Sequence, residues 1–143
     1  MFNKILVVCI GNICRSPSGE RILQNLLPSK QITSAGIGAL VDHQIEENAA
    51  ALLTQHGFNA ENHKARQINQ DLVNGADLIL VMEKKHQQVL MKKYPEASGK
   101  VMLLGKWSND EEIPDPYKRS QEAFEHAYKL IEQHCQTWAQ KLK

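Results

Sequence analysis

Near its amino end the chain reads Cys9-Ile10-Gly11-Asn12-Ile13-Cys14-Arg15-Ser16-Pro17. A thiol, five residues, and then Arg-Ser-Pro set a potential nucleophile and a potential anion clamp on one short loop. A loop that leaves a strand and enters a helix can turn successive backbone N–H groups inward. The helix start adds its own unsatisfied donors and the positive end of its dipole. Such a cup fits one phosphate-sized anion, and the planar fork of Arg15 can close on two of its oxygens. Gly11 is expected to supply backbone freedom, and Asn12 tolerates the left-handed region better than most residues. At the bottom of the cup, Cys9 would be held as a thiolate by the same donors and so be nucleophilic. Ser16 is placed to give its hydroxyl to that thiolate and to ease its departure later.

The elements that must position this loop follow from apolar periodicity. Residues 4–9 form a short β-branched run, as expected of a strand covered on both faces. Ser16-Pro17 reads as an N-cap with a proline suited to the first helical position, followed by Ile22, Leu23, Leu26 and Leu27 at helical spacing. Residues 31–34 suggest a second strand and 45–56 a helix stopped by Gly57. Residues 78–82 form another buried strand, 84–94 a Lys-rich helix closed by Pro95, and 101–104 a fourth strand. A long amphipathic helix over 120–142 carries Phe124, Ala127, Tyr128, Ile131, Trp138 and Leu142 on one face. Strands alternating with helices predict one α/β domain over residues 1–143, a parallel sheet with helices on both faces. Ligands of such sheets bind outside the carboxyl ends of the strands, where residues 9–16 fall.

Composition narrows the function. Seventeen basic and sixteen acidic side chains, evenly spread, leave no electrostatic footprint for nucleic acid or an anionic membrane. Gly11-Asn12 cuts the first apolar stretch too short for a signal-peptide core or a span, so a cytoplasmic chain without membrane insertion is expected. Three cysteines, Cys9, Cys14 and Cys135, form no Cys-x-x-Cys pair and have no histidine at metal-ligand spacing. Reduced thiols, no metal and no cofactor are therefore expected. Walker A is excluded because no Gly-Lys-Ser/Thr follows, and the dinucleotide glycine pattern is absent. A phosphate or phosphotyrosine binding module remains open, but it has no use for a thiolate beneath the anion. A thiol redox protein using Cys9 and Cys14 also remains open, and it leaves Arg15 without a role.

Cys-x5-Arg-Ser-Pro so close to the amino end, with Asp115-Pro116-Tyr117 near the carboxyl end, resembles the low-molecular-weight protein tyrosine phosphatases. The likeness extends over nearly the whole chain through Ser34-Ala35-Gly36, His63-Lys64-Ala65-Arg66-Gln67, the strand after Asp77 and the closing helix. It implies four parallel strands, Cys9 as nucleophile, Arg15 as phosphate clamp, Ser16 as thiolate partner, Asn12 as loop brace and Asp115 as general acid. Ser34 and His63 would support Asn12 from behind, and the loop residues Ile10, Gly11, Asn12, Ile13, Cys14 and Ser16 would bind substrate. The physics of leaving groups agrees for Asp115: a phenol of pKa ~10 leaves slowly as a bare phenolate, and Pro114 and Pro116 hold the acid on a stiff loop.

Within the family, Ile13 stands where arginine-phosphate phosphatases typically carry Thr, which points to phosphotyrosine. Related arsenate reductases need a further downstream cysteine pair, and here only Cys135 remains. Leu40 would wall the phenol slot, with Tyr117 on the opposite side. That aliphatic wall, with Met1-Phe2-Asn3-Lys4 and Gly99-Lys100-Val101-Met102-Leu103, resembles the bacterial branch paired with membrane tyrosine autokinases of capsule and exopolysaccharide export. The implied partner is a tyrosine-rich cytoplasmic tail of such a kinase, met by a monomeric phosphatase. Cys14 could form a reversible disulfide with Cys9 under oxidant.

Overall fold

A computed structural model describes residues 2–143; Met1, part of the amino-terminal likeness above, lies outside the described residues. Four parallel strands, β1 (Lys4–Cys9), β2 (Gln31–Gly36), β3 (Leu78–Val81) and β4 (Val101–Leu103), form one sheet in the order β2-β1-β3-β4. The helices are α1 (Arg15–Leu26), α2 (Glu47–Gln55), α3 (Gln70–Gly75), α4 (Lys84–Lys93) and α5 (Gln121–Leu142). The expected single α/β domain is what the chain forms.

Alternation along β1 explains both layers. Ile5, Val7 and Cys9 face a core built with α1, α2 and α5, whereas Leu6 and Val8 face one built with Val73 of α3 and Leu90 of α4. β1 is thus central in the sheet and buried on both sides. On α5 the buried positions Phe124, Ala127, Tyr128, Ile131, Cys135 and Trp138 keep helical spacing. Ser120 Oγ caps that helix by accepting from Ala123 N at 3.2 Å, and Trp138 Nε1 donates to the Leu104 carbonyl at 2.8 Å.

Three expectations are corrected. Ser16 is not an N-cap: α1 begins at Arg15 with Cys14 at the cap position, and the Ser16 hydroxyl is taken up inside the loop. Pro17 therefore sits in the third helical position, where its missing N–H is one of the four orphans and nothing is lost. Gly11 does not carry the unusual backbone; Asn12 does, at φ 59°. Beside the loop, the glycine that close approach requires is Gly36 at the end of β2, where a Cβ would run into the Ile10 carbonyl oxygen and meet Asn12 at 3.1 Å. α3 was not foreseen, and β2 runs two residues further than the pattern suggested.

Gly36→Ala is accordingly expected to force β2 away from the loop, costing about 1–3 kcal/mol in urea unfolding. Activity should fall with stability; an unchanged unfolding midpoint would show that the two segments can part without cost.

Candidate active site

Every carbonyl from Cys9 to Cys14 is held by a donor outside the turn of the loop. Cys9 O accepts from Ile37 N, Ile10 O from Gly38 N, Gly11 O from Leu40 N, Ile13 O from Glu46 N, and Cys14 O from Ser18 N, all at 2.7–3.3 Å. Asn12 O lies 2.7 Å from His63 Nε2, which must carry the proton because a carbonyl can only accept. Among the described residues, the N–H groups of Gly11, Asn12, Ile13 and Cys14 meet no acceptor from the protein. With the carbonyls pinned outward, those four N–H groups form a nest at the start of α1 that suits an anion.

Asn12 fastens the nest. Its Oδ1 accepts from Arg66 N at 3.0 Å, which fixes Nδ2 towards the hydroxyls of Ser16 at 2.7 Å and Ser34 at 3.0 Å. Ser34 Oγ, having accepted from Asn12, donates to Glu20 Oε1 at 2.5 Å. Ser16 Oγ, likewise an acceptor from Asn12, has its proton free for Cys9 Sγ at 2.9 Å, and Ser16 N approaches the same sulfur at 3.4 Å. The thiol thus meets two donors at the base of the nest.

Cys9, Ile10, Gly11, Ile13, Cys14, Arg15, Leu40, Asp115 and Tyr117 all line one pocket of about 160 Å³. Of the residues assigned to substrate binding from sequence, Asn12 and Ser16 are the exceptions: both are fully buried and do not line the pocket. Their side chains are spent inside the loop, so only their backbones can reach a ligand. Ser34 and His63 lie behind the loop, against Asn12. The three cysteines are free thiols. Burial, reinforced by the nearby Glu46 charge, raises the Cys14 pKa and keeps that thiol protonated beside the pocket.

Arg15 is only 2% exposed, and a buried guanidinium needs anionic company. Glu83, immediately after Met82 at the carboxyl end of β3, supplies it: Oε2 takes Nη1 at 2.5 Å, and the Ile113 carbonyl takes the same nitrogen at 2.8 Å. Nη2 is turned towards Asp115 Oδ2 at 3.7 Å. Asp115, 46% exposed, is steadied by its Oδ1 accepting from Tyr117 N at 3.1 Å, and Ile113 N ties the same loop to Met82 O at 3.0 Å. Glu83 was missed from sequence; the available signal was a lone acid just past a strand that neighbours the loop-bearing strand. Chemically, the arrangement offers a thiol beneath an anion nest, a guanidinium at its side and a carboxyl group at its mouth.

The model of the family "Low molecular weight phosphotyrosine protein phosphatase" matches residues 4–143. The low molecular weight protein-tyrosine-phosphatase Wzb of Salmonella typhimurium is 51% identical over 99% of this chain and 95% of its own. The structure of Vibrio vulnificus Wzb in complex with benzylphosphonate superposes with a TM-score of 0.96 at 50% identity, covering 99% of both chains. An arginine phosphatase, YwlE of Geobacillus stearothermophilus, gives a TM-score of 0.92 at 30% identity over 97% of this chain and 92% of that one.

Glu83 also makes acid stability testable. Partial burial pushes its carboxyl up, but the hydrogen bond and charge of Arg15 outweigh this and hold its pKa below the ordinary glutamate value. A depressed folded pKa contributes stability that is complete above about pH 4.3, the unfolded value, and is lost as pH falls through the folded one. Unfolding followed from pH 6 down to 3 should therefore show a steeper loss in the native chain than in Glu83→Gln. Parallel curves would mean that the carboxylate contributes nothing to folding.

Proposed function

The chain belongs to the low molecular weight phosphotyrosine protein phosphatase family, and from that premise we propose that it hydrolyses phosphotyrosine through a phosphocysteine intermediate. Cys9 attacks phosphorus in line while Asp115 protonates the leaving phenol oxygen. Asp115, now a carboxylate, takes a proton from water as that water attacks the phosphocysteine, and the Cys9 thiolate leaves with the Ser16 hydroxyl stabilising it. Arg15 and the loop N–H groups hold the equatorial oxygens, whose charge they meet without reorganising. The observation that carries this reading is the Cys9 thiol lying under the outward-pinned loop, in one pocket with Arg15 and Asp115.

Asp115 Oδ2 lies 3.7 Å from Arg15 Nη2, so the carboxyl group sits beside the clamp that would hold the phosphoryl group.

Side walls of Ile10, Ile13, Leu40 and Tyr117 favour a phenol ring over a guanidinium. The likeness to an arginine phosphatase makes phosphoarginine the comparison substrate. For the natural substrate we propose a tyrosine-rich cytoplasmic tail of a membrane autokinase serving capsule or exopolysaccharide export. No described helix is long and apolar enough to cross a membrane.

Phosphate release from a phosphotyrosine peptide in EDTA should be abolished by Cys9→Ser. Asp115→Asn should lose about 10² to 10⁴ in kcat, most with poor leaving groups. No turnover by the reduced native chain, with release from phosphoarginine instead, would overturn the tyrosine reading. Leu40→Asp, at an exposed position, should raise KM for phosphotyrosine peptides several-fold with little change in unfolding. An unaltered KM would remove Leu40 from the slot.

A further inference from the structure

The start of α4 holds a group that the reaction scheme does not use. His86 is 1% exposed, and among the described residues neither ring nitrogen has a hydrogen-bond partner. A buried nitrogen left unpaired loses its hydration without return, so the position is unfavourable for folding. Burial, and then the Arg15 charge, push the ring's pKa down to about 4 against the opposing pull of Glu83. Of the other charges acting on it, Lys85 lowers that value and Asp115 raises it. The ring is therefore neutral near pH 7.

His86 Nε2 lies 3.4 Å from Glu83 Oε2, the oxygen that takes Arg15 Nη1. Glu83 is itself the N-cap of α4, yet its side chain makes no capping bond. A short carboxylate at this position commonly turns back onto the N–H of the second or third helical residue. Here the third residue is His86, whose N–H is already directed at the Glu83 carbonyl at 3.0 Å. The imidazole faces the carboxylate from the helix side, and the carboxylate stays on Arg15.

We propose that His86 is a positioning residue for phosphoryl transfer: its neutral ring presents Nε2–H to Glu83 Oε2, keeps that carboxylate on Arg15, and so fixes the plane of the guanidinium. The inference rests on Arg15 being the phosphate clamp. A guanidinium free to tilt would still attract a phosphate, but it would meet the transition state poorly.

His86→Phe keeps a ring and removes the donor, and His86→Gln keeps a donor. With a phosphotyrosine peptide, His86→Phe should lose about tenfold in kcat with KM little changed, and about tenfold in affinity for orthovanadate. Its thermal unfolding midpoint should hold or rise, because Nδ1, buried without a partner, leaves the interior, and Nε2 gives up only a 3.4 Å approach to Glu83. His86→Gln should recover most of the kcat. On a Glu83→Gln background, His86→Phe should add no further loss. His86→Leu, equally unable to donate, gives the same readouts if the phenylalanine ring prevents folding. Native kcat and vanadate affinity in the apolar variant would overturn the proposal. So would a loss that tracks a lowered midpoint and is not recovered by glutamine. If the native chain fails to turn over phosphotyrosine, the phosphatase reading fails separately, and the vanadate affinities still decide the role of His86.

Discussion

Six consecutive carbonyl oxygens, from Cys9 to Cys14, cannot be turned outward unless six donors wait for them, and three separate loop segments and a helix start are placed to supply them. The segment after β2 supplies three, the entry to α2 supplies one, His63 supplies one, and the first turn of α1 closes the set. Each donor satisfies a backbone group that would otherwise be buried unpaired. Orienting the N–H groups inward is the by-product. The protein therefore meets the cost of ordering its anion site during folding, and a phosphoryl group arriving there finds dipoles already aligned.

Burial then sets the charges apart. Cys9 and Cys14 belong to one loop and one pocket, yet their surroundings differ. Cys9 faces the Ser16 hydroxyl and amide, whereas desolvation and Glu46 disfavour a charge on Cys14. Arg15 is tolerated in the interior because Glu83 and the Ile113 carbonyl share one of its nitrogens. That sharing also joins three strand ends: Arg15 follows β1, Glu83 follows β3, and Ile113 belongs to the loop after β4. The acid-bearing loop is thereby registered to the anion loop through a single buried cation.

Local pattern was enough to reveal β1, β3, α1 and α5, because each has an apolar run or stripe that only one kind of element can bury. Spacing alone also brought forward Cys9, Arg15, Asn12 and Ser16. Where local reasoning misplaced a role, a contact from outside the element was responsible. Ser16 looked like a cap because a serine before proline usually is one; its hydroxyl is claimed instead by Asn12 and Cys9. Gly11 drew the conformational argument that belongs to Gly36, whose constraint comes from a carbonyl on the neighbouring segment. α3 escaped notice because its six residues bury only Val73. Glu83 could be recognised only once β3 was known to lie beside β1.

The pairing of the first helix with the last carries a consequence for how the molecule comes into being. Ile22 and Leu23 of α1 share a core with Ile131, Cys135 and Trp138 of α5, and the Cys135 thiol reaches the Gly19 carbonyl at 3.8 Å. Contacts between such distant stretches form late, because the intervening chain must first be ordered. The helix that starts at the Cys9–Arg15 loop is thus covered only when α5 docks, so the order of that loop depends on a thiol 116 residues away from the glycine it touches.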